Sequence, residues 1–196
     1  MARPNSLLLI VDMLTDYAFP DADRLLDGAA GAVAAIRRAR DVADEAGILV
    51  SYANDIHEDW RCSRDEICKR ALSGARPDLV RPLLPQSEDA FMFKGQHSAF
   101  YGTPLAHLLH QEKVTEIVLT GQVTEQCVLY TALDAHVRDY RVALLTDAVL
   151  SIDQALGDAA QRMMTSNLGA RSLTTREWAE EVLGSAAGPH ASSAFR

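Results

Sequence analysis

The chain has 196 residues, 48% hydrophobic and 23% charged, with a formal net charge of −8. That is enough chain for one full hydrophobic core, and the composition is that of a globular protein. The acidic balance argues against nucleic acid or an anionic membrane surface as partner, since both need a basic patch, and no apolar run approaches the ~20 residues of a membrane span.

Residues 7–11 (Leu-Leu-Leu-Ile-Val) form a continuous apolar run, as expected of a strand buried on both faces of a parallel sheet, and Asp12 follows at once. Apolar residues then recur near helical period over 24–46, and Gly47 stops that helix. A second strand covers 48–53, with Asn54 and Asp55 at its end. Residues 56–88 are irregular and hold Pro77, Pro82 and Pro85. They read as a long crossover with short helices near 63–72 and 77–83. The third strand is 90–93, with Lys94 at its tip, and Thr103 caps a helix running from Pro104 to about Gln111. A fourth strand (116–120) leads into a helix over 125–138, and a fifth (140–145) ends at Thr146 and Asp147. A helix over 154–167, a short strand over 170–173 and a last helix over 175–183 complete the series. The expectation is one domain over 1–183 and a polar tail over 184–196. Strand–helix alternation of this kind predicts a three-layer α/β/α fold around a mainly parallel six-stranded sheet.

The first residues lack the length and cleavage pattern of a signal peptide. Cys62, Cys68 and Cys127 are odd in number and irregularly spaced, so neither a disulfide framework nor a CxxC metal site follows, and a reduced cytoplasmic setting is expected.

In open parallel sheets, ligands bind beyond the carboxyl ends of the strands. Three reactive side chains fall there: Asp12 after strand one, Lys94 after strand three and Cys127 after strand four. Gly121 is expected to end strand four and Thr124 to cap the next helix. Cys127 then falls in the first turn, where local positive potential lowers a thiol's pKa. Lys94 supplies a cation to the sulfur. Asp12 accepts the thiol proton and returns it to a leaving group, and N–H groups at the helix start hold an oxyanion. The bland alternative is a solvated Asp12–Lys94 ion pair beside an inert buried cysteine.

The sequence resembles the isochorismatase-like cysteine hydrolases, which include nicotinamidases, N-carbamoylsarcosine amidases and streptothricin hydrolases. The likeness spans roughly 6–175. It is carried by Leu8-Leu-Ile-Val-Asp12-Met13, by Phe93-Lys94 with Ser98-Ala99-Phe100, and by Thr120-Gly121-Gln-Val-Thr124-Glu-Gln-Cys127-Val128 with Thr131-Ala132-Leu-Asp134-Ala135. It implies a catalytic triad of Asp12, Lys94 and Cys127, and a cis peptide between Val123 and Thr124. The backbone N–H groups of Thr124 and Cys127 then form the oxyanion hole. The implied reaction is cleavage of a C–N bond in a small non-peptide amide, carbamoyl or lactam substrate through a thioester.

Nicotinamidases carry an Asp-x-His at the end of strand two plus a later histidine, and these hold a metal. Asp55 and His57 match the first two, but 65–88 contain no histidine, so a zinc site stays incomplete and no cofactor is expected. Phe19, Asn54, Trp60 and Phe100 are candidate substrate-pocket residues, Asn54 being read in the first place as a structural hydrogen-bonding group in the crossover. Isochorismatase-type vinyl-ether hydrolysis is an alternative, although such enzymes typically lack the nucleophilic cysteine. A catalytically silent scaffold of the same fold is another. The resemblance further implies a homo-oligomer, dimer or tetramer, acting on a small molecule.

Overall fold

The computed structural model describes residues 5–56 and 59–186. Its strands are β1 (Ser6–Val11), β2 (Leu49–Asp55), β3 (Ala90–Lys94), β4 (Glu116–Gln122), β5 (Arg141–Leu150) and β6 (Arg171–Leu173). They form one six-stranded sheet in the order β3-β2-β1-β4-β5-β6, with every pairing parallel. The helices are α1 (Ala22–Ala46), α2 (Arg64–Leu72), α3 (Pro77–Val80), α4 (Leu105–Gln111), α5 (Leu129–His136), α6 (Gln154–Leu168) and α7 (Thr175–Ala186).

The apolar run of β1 serves both faces of the sheet. Leu8 and Ile10 pack with Ile36 of α1 and Trp178 of α7, while Leu7, Leu9 and Val11 pack with Leu109 of α4, Ala132 of α5 and Met164 of α6. This alternation makes the three layers, because successive side chains of a strand point to opposite faces. The predicted α/β/α fold is therefore the observed one.

Several boundaries differ from the sequence reading. The first turns of α1 are set off by a break at Asp27 and Gly28. The short crossover helices, by contrast, fall where expected, near 63–72 and 77–83: Ser63 and Glu66 cap α2 reciprocally, and a tight 3-10 turn (Arg81–Leu83) follows α3. β5 runs on to Leu150 rather than stopping at 145. Its register against β4 jumps, Leu119 facing Leu144 but Gly121 facing Val149. The extra residues carry Asp147, whose Oδ1 accepts from the backbone N–H and the hydroxyl of Thr175 at 2.7 and 2.8 Å and so starts α7. Gly121 does not end β4 but pairs within it opposite Val11. α7 extends to Ala186, past the expected end at 183, and the remainder of the expected tail, 187–196, lies outside the described residues.

The predicted helix over 125–138 is two pieces. A wide π-helical turn, Thr124–Val128, precedes α5. Thr124 does not cap it: the hydroxyl is buried and donates to the Leu150 carbonyl at 2.9 Å. The end of β5 thus claims the group that local sequence assigns to a cap.

Candidate active site

Asp12 stands where β1 leaves the sheet, between the neighbouring ends of β2 and β4. Its backbone is left-handed (φ 53), a conformation aspartate tolerates better than most residues. Its backbone N–H donates to the Ala53 carbonyl at 2.9 Å. Oδ1 accepts from the Asp55 backbone N–H at 2.8 Å, and the Asp12 carbonyl accepts from Gln122 Nε2 at 2.8 Å. Asp12 is therefore held from two strands, its carboxylate by β2 and its carbonyl by β4.

Oδ2 lies 2.7 Å from Lys94 Nζ, and Lys94 is fully buried. The same ammonium is 3.6 Å from Asp55 Oδ2 and donates to Cys127 Sγ at 3.5 Å. Burial pulls the Lys94 pKa down, but the charges of Asp12, Cys127 and Asp55 outweigh it and raise it above the ordinary lysine value. Burial raises the Asp12 carboxyl above the usual carboxylate range, with Lys94 pulling the other way.

The Cys127 thiol is pushed up to about 12, first by burial and then by the Asp12 carboxylate, while Lys94 pulls it down. The depressed pKa expected from the sequence is thus reversed. A helix terminus offers only local potential, whereas burial and the Asp12 carboxyl hydrogen-bonded to the thiol dominate here. A thiol, a carboxyl group and an amine are thus held in mutual contact. Such a group can pass the thiol proton to the carboxylate as the sulfur attacks. Thr131 steadies the sulfur's segment by donating to the Cys127 carbonyl at 2.6 Å and accepting from the Ala99 N–H at 2.9 Å.

A cavity of about 240 Å³ opens on this group, lined by Asp12, Asp55 and Cys127 and by residues that include Phe19, Gln122 and Val123. Phe19 and Asn54 line this cavity. Asn54 is also structural, accepting from the Leu14 N–H at 2.9 Å and donating to the Leu14 carbonyl at 3.0 Å. Its partner is thus the loop after β1 rather than the 56–88 crossover.

Trp60 is not a wall of this cavity. It is 72% exposed and borders a separate depression with Gly95, Gln96 and Tyr101. Phe100 is not one either. It is buried in the α4–α5 layer, stacked on Tyr140 at 6.2 Å and beneath the Arg138 guanidinium. The cis peptide joins Gln122 and Val123, one residue before the expected position. Of the weak metal candidates, Asp55 meets Lys94, and His57 lies outside the described residues. Sequence reasoning passed over Gln122, Thr15, Leu25 and Ile152 as wall residues. The usable signal was position: Gln122 and Ile152 sit at the carboxyl ends of β4 and β5, where parallel sheets place ligands.

The family model described as Isochorismatase domain matches residues 6–177. The chain belongs to the isochorismatase family. Among its curated relatives is an Arabidopsis thaliana protein named "probable inactive nicotinamidase", 30% identical over 192 residues, covering 91% of this chain and 96% of the relative. The streptothricin hydrolase of Streptomyces noursei is 31% identical over 185 residues, covering 90% of this chain and 66% of the relative. Among solved structures, the N-carbamoylsarcosine amidase of Thermoplasma acidophilum superposes with a TM-score of 0.68 at 25% identity, covering 88% of this chain and 97% of that one. This isochorismatase-family chain has no described helix long and apolar enough to cross a membrane.

Proposed function

We propose that the protein is a cysteine-dependent hydrolase that cleaves a C–N bond in a small non-peptide amide, carbamoyl or lactam substrate. The observation that carries this is the contact group at the cavity floor, with Lys94 Nζ 2.7 Å from Asp12 and 3.5 Å from Cys127. Family membership and the streptothricin hydrolase and amidase relatives support a hydrolase.

Cys127 Sγ bonds to the substrate carbonyl carbon as the thiol proton passes to Asp12. The oxyanion is held by the backbone N–H groups of Cys127 and Val123, two residues of the cavity lining. Thr124, expected from the sequence to share this role, is buried outside the lining. The C–N bond breaks as Asp12 gives its proton to the leaving nitrogen, leaving a thioester. Water then loses a proton to Asp12 and adds to the thioester carbon. The C–S bond breaks, the proton returns to sulfur, and the acid departs. Lys94 keeps the buried pair neutralised throughout.

The test is a panel of small amides with Cys127→Ala beside the parent protein. Turnover is expected to vanish in the variant at an unchanged melting temperature, and a slow amide should leave an acyl mass on the Cys127 peptide. Retained turnover in Cys127→Ala would refute the nucleophile. The relative named as inactive favours a second reading, a silent scaffold. A parent protein that neither turns over any amide nor acquires the acyl mass would overturn the amidase reading and move the scaffold ahead of it.

A further inference from the structure

Gln122 ends β4 at the wall of the catalytic cavity and is only 4% exposed. Its Nε2 donates to the main-chain carbonyl of Asp12 at 2.8 Å. A carbonyl only accepts, so this contact fixes which end of the side-chain amide is nitrogen. The other end, Oε1, is buried and has no hydrogen-bond partner. A buried acceptor is normally satisfied, and this orphan belongs to a side chain that lines the cavity, where a ligand can bring the donor.

Charge gives a second, independent constraint. Asp12 and Asp55 line the cavity, and no Lys, Arg or His among the described residues does. Lys94, behind the wall, is fully buried and already paired with both carboxylates. A substrate carboxylate entering this space meets acidic groups, and among the described residues no free cation lines it to offset them.

We propose that Gln122 is a specificity-determining residue, its Oε1 accepting a hydrogen bond from the N–H of an uncharged amide. The cavity then selects carboxamide, carbamoyl or lactam groups over carboxylates. This rests on the amidase reading and assigns its choice of an uncharged amide to one residue. It also gives the leaving nitrogen an orientation. One N–H is held by Gln122, and the lone pair freed as the carbonyl carbon becomes tetrahedral is left for the proton on Asp12. Gln122 is thereby tied to both partners of that transfer.

The test uses Cys127→Ala protein, which cannot acylate, with benzamide, acetophenone and benzoate as calorimetric probes. Acetophenone keeps the carbonyl and the shape of benzamide but replaces its NH₂ with a methyl group. Benzamide is expected to bind at least about 10-fold tighter than acetophenone, the scale of one good hydrogen bond, and benzoate more weakly than benzamide. In Cys127→Ala/Gln122→Met the benzamide-to-acetophenone ratio should fall to within about 2-fold. A purely structural role, acting through the Asp12 carbonyl, would weaken both ligands and leave their ratio intact. An intact ratio, no preference for benzamide in the Gln122 protein, or benzoate binding as tightly as benzamide would each overturn the proposal. Should Gln122→Met fail to fold, a structure of Cys127→Ala with benzamide decides. An amide nitrogen within about 3.2 Å of Gln122 Oε1 supports the assignment, and one bonded elsewhere ends it. Failure of the amidase reading shows separately, as parent protein that gains no acyl mass while the Cys127→Ala protein still prefers benzamide.

Discussion

Asp12 acts on Cys127 in two opposed senses. In the proposed chemistry it removes the thiol proton, yet in the free protein its charge helps keep that proton on sulfur, second only to burial. Asp12→Asn removes the charge and leaves Lys94 alone beside the thiol. The pH midpoint of Cys127 alkylation, read by peptide mass spectrometry, should therefore move to lower pH in that variant. Its turnover should fall by about 10²–10⁴-fold for want of the acid–base group. A more reactive sulfur in a less active enzyme is the signature, and an unchanged or higher midpoint would show that the carboxylate is not felt at sulfur. Linkage gives the sign for stability. The folded thiol pKa, about 12, lies above the ordinary 9.0, so the stability it contributes is present below pH 9 and is lost as pH rises towards 12. Cys127→Ala should lessen that alkaline loss. The three reactive positions were legible because each follows an apolar strand, and topology alone brings them together. The direction of the thiol shift was not, since the opening turn of a helix predicts a lowered pKa and only the folded neighbourhood supplies the burial and the carboxylate that reverse it.

The element that positions the site most tightly is β4, and its least replaceable residue is Gly121. A Cβ there would lie 2.0 Å from the Val11 carbonyl oxygen, and the backbone has φ +109. The sequence suggested a glycine that ends a strand. It instead allows β1 and β4 to close together at the point where Asp12 and Cys127 leave them. Gly121→Ala should cost more than about 3 kcal/mol in denaturant unfolding, through overlap with backbone and a disfavoured φ together. Gly31→Ala is the control. A Cβ at that exposed helical position meets nothing within 4 Å, and alanine there should stabilise by about 0.5–1 kcal/mol. Similar effects from both would mean that the close approach at Val11 is relieved cheaply. Most strands and helices were legible, because the apolar runs and helical periods are long. The π-helical turn was not, since apolar spacing does not separate an i−5 from an i−4 turn over a few residues. Phe100 and Trp60 show the same limit. Nothing local tells an aromatic of the α4–α5 layer from one exposed beside a neighbouring depression.

Across the whole molecule, the strand order places the cavity where the chain switches direction. From β1 the chain builds outward to β2 and β3, then returns to lay β4 against the other side of β1. Parallel sheets leave a crevice at such a reversal, and Asp12, Gln122 and Cys127 all border it. That placement follows from alternating strands and helices, so it was readable in the sequence, as were the short helices of the 56–88 crossover near 63–72 and 77–83, whereas the position of Trp60 in the same crossover was not. The crevice also lies within the field of a chain of formal net charge −8. No cationic side chain among the described residues lines the cavity to reverse that field locally. Electrostatic attraction should then favour a cationic amide and oppose an anionic one before either reaches Cys127. Raising ionic strength from 0.01 to 0.1 M shortens the screening length from about 30 to about 10 Å. Over that interval kcat/KM should fall several-fold for an amide bearing an ammonium group, rise for one bearing a remote carboxylate, and change less than about 2-fold for an uncharged one. The ordering is the sensitive readout, because a general effect of salt on the fold would move all three together. Three parallel responses would confine the acidic surface to a role away from the cavity, whereas divergent ones would make net charge an outer filter acting before the choice made at Gln122.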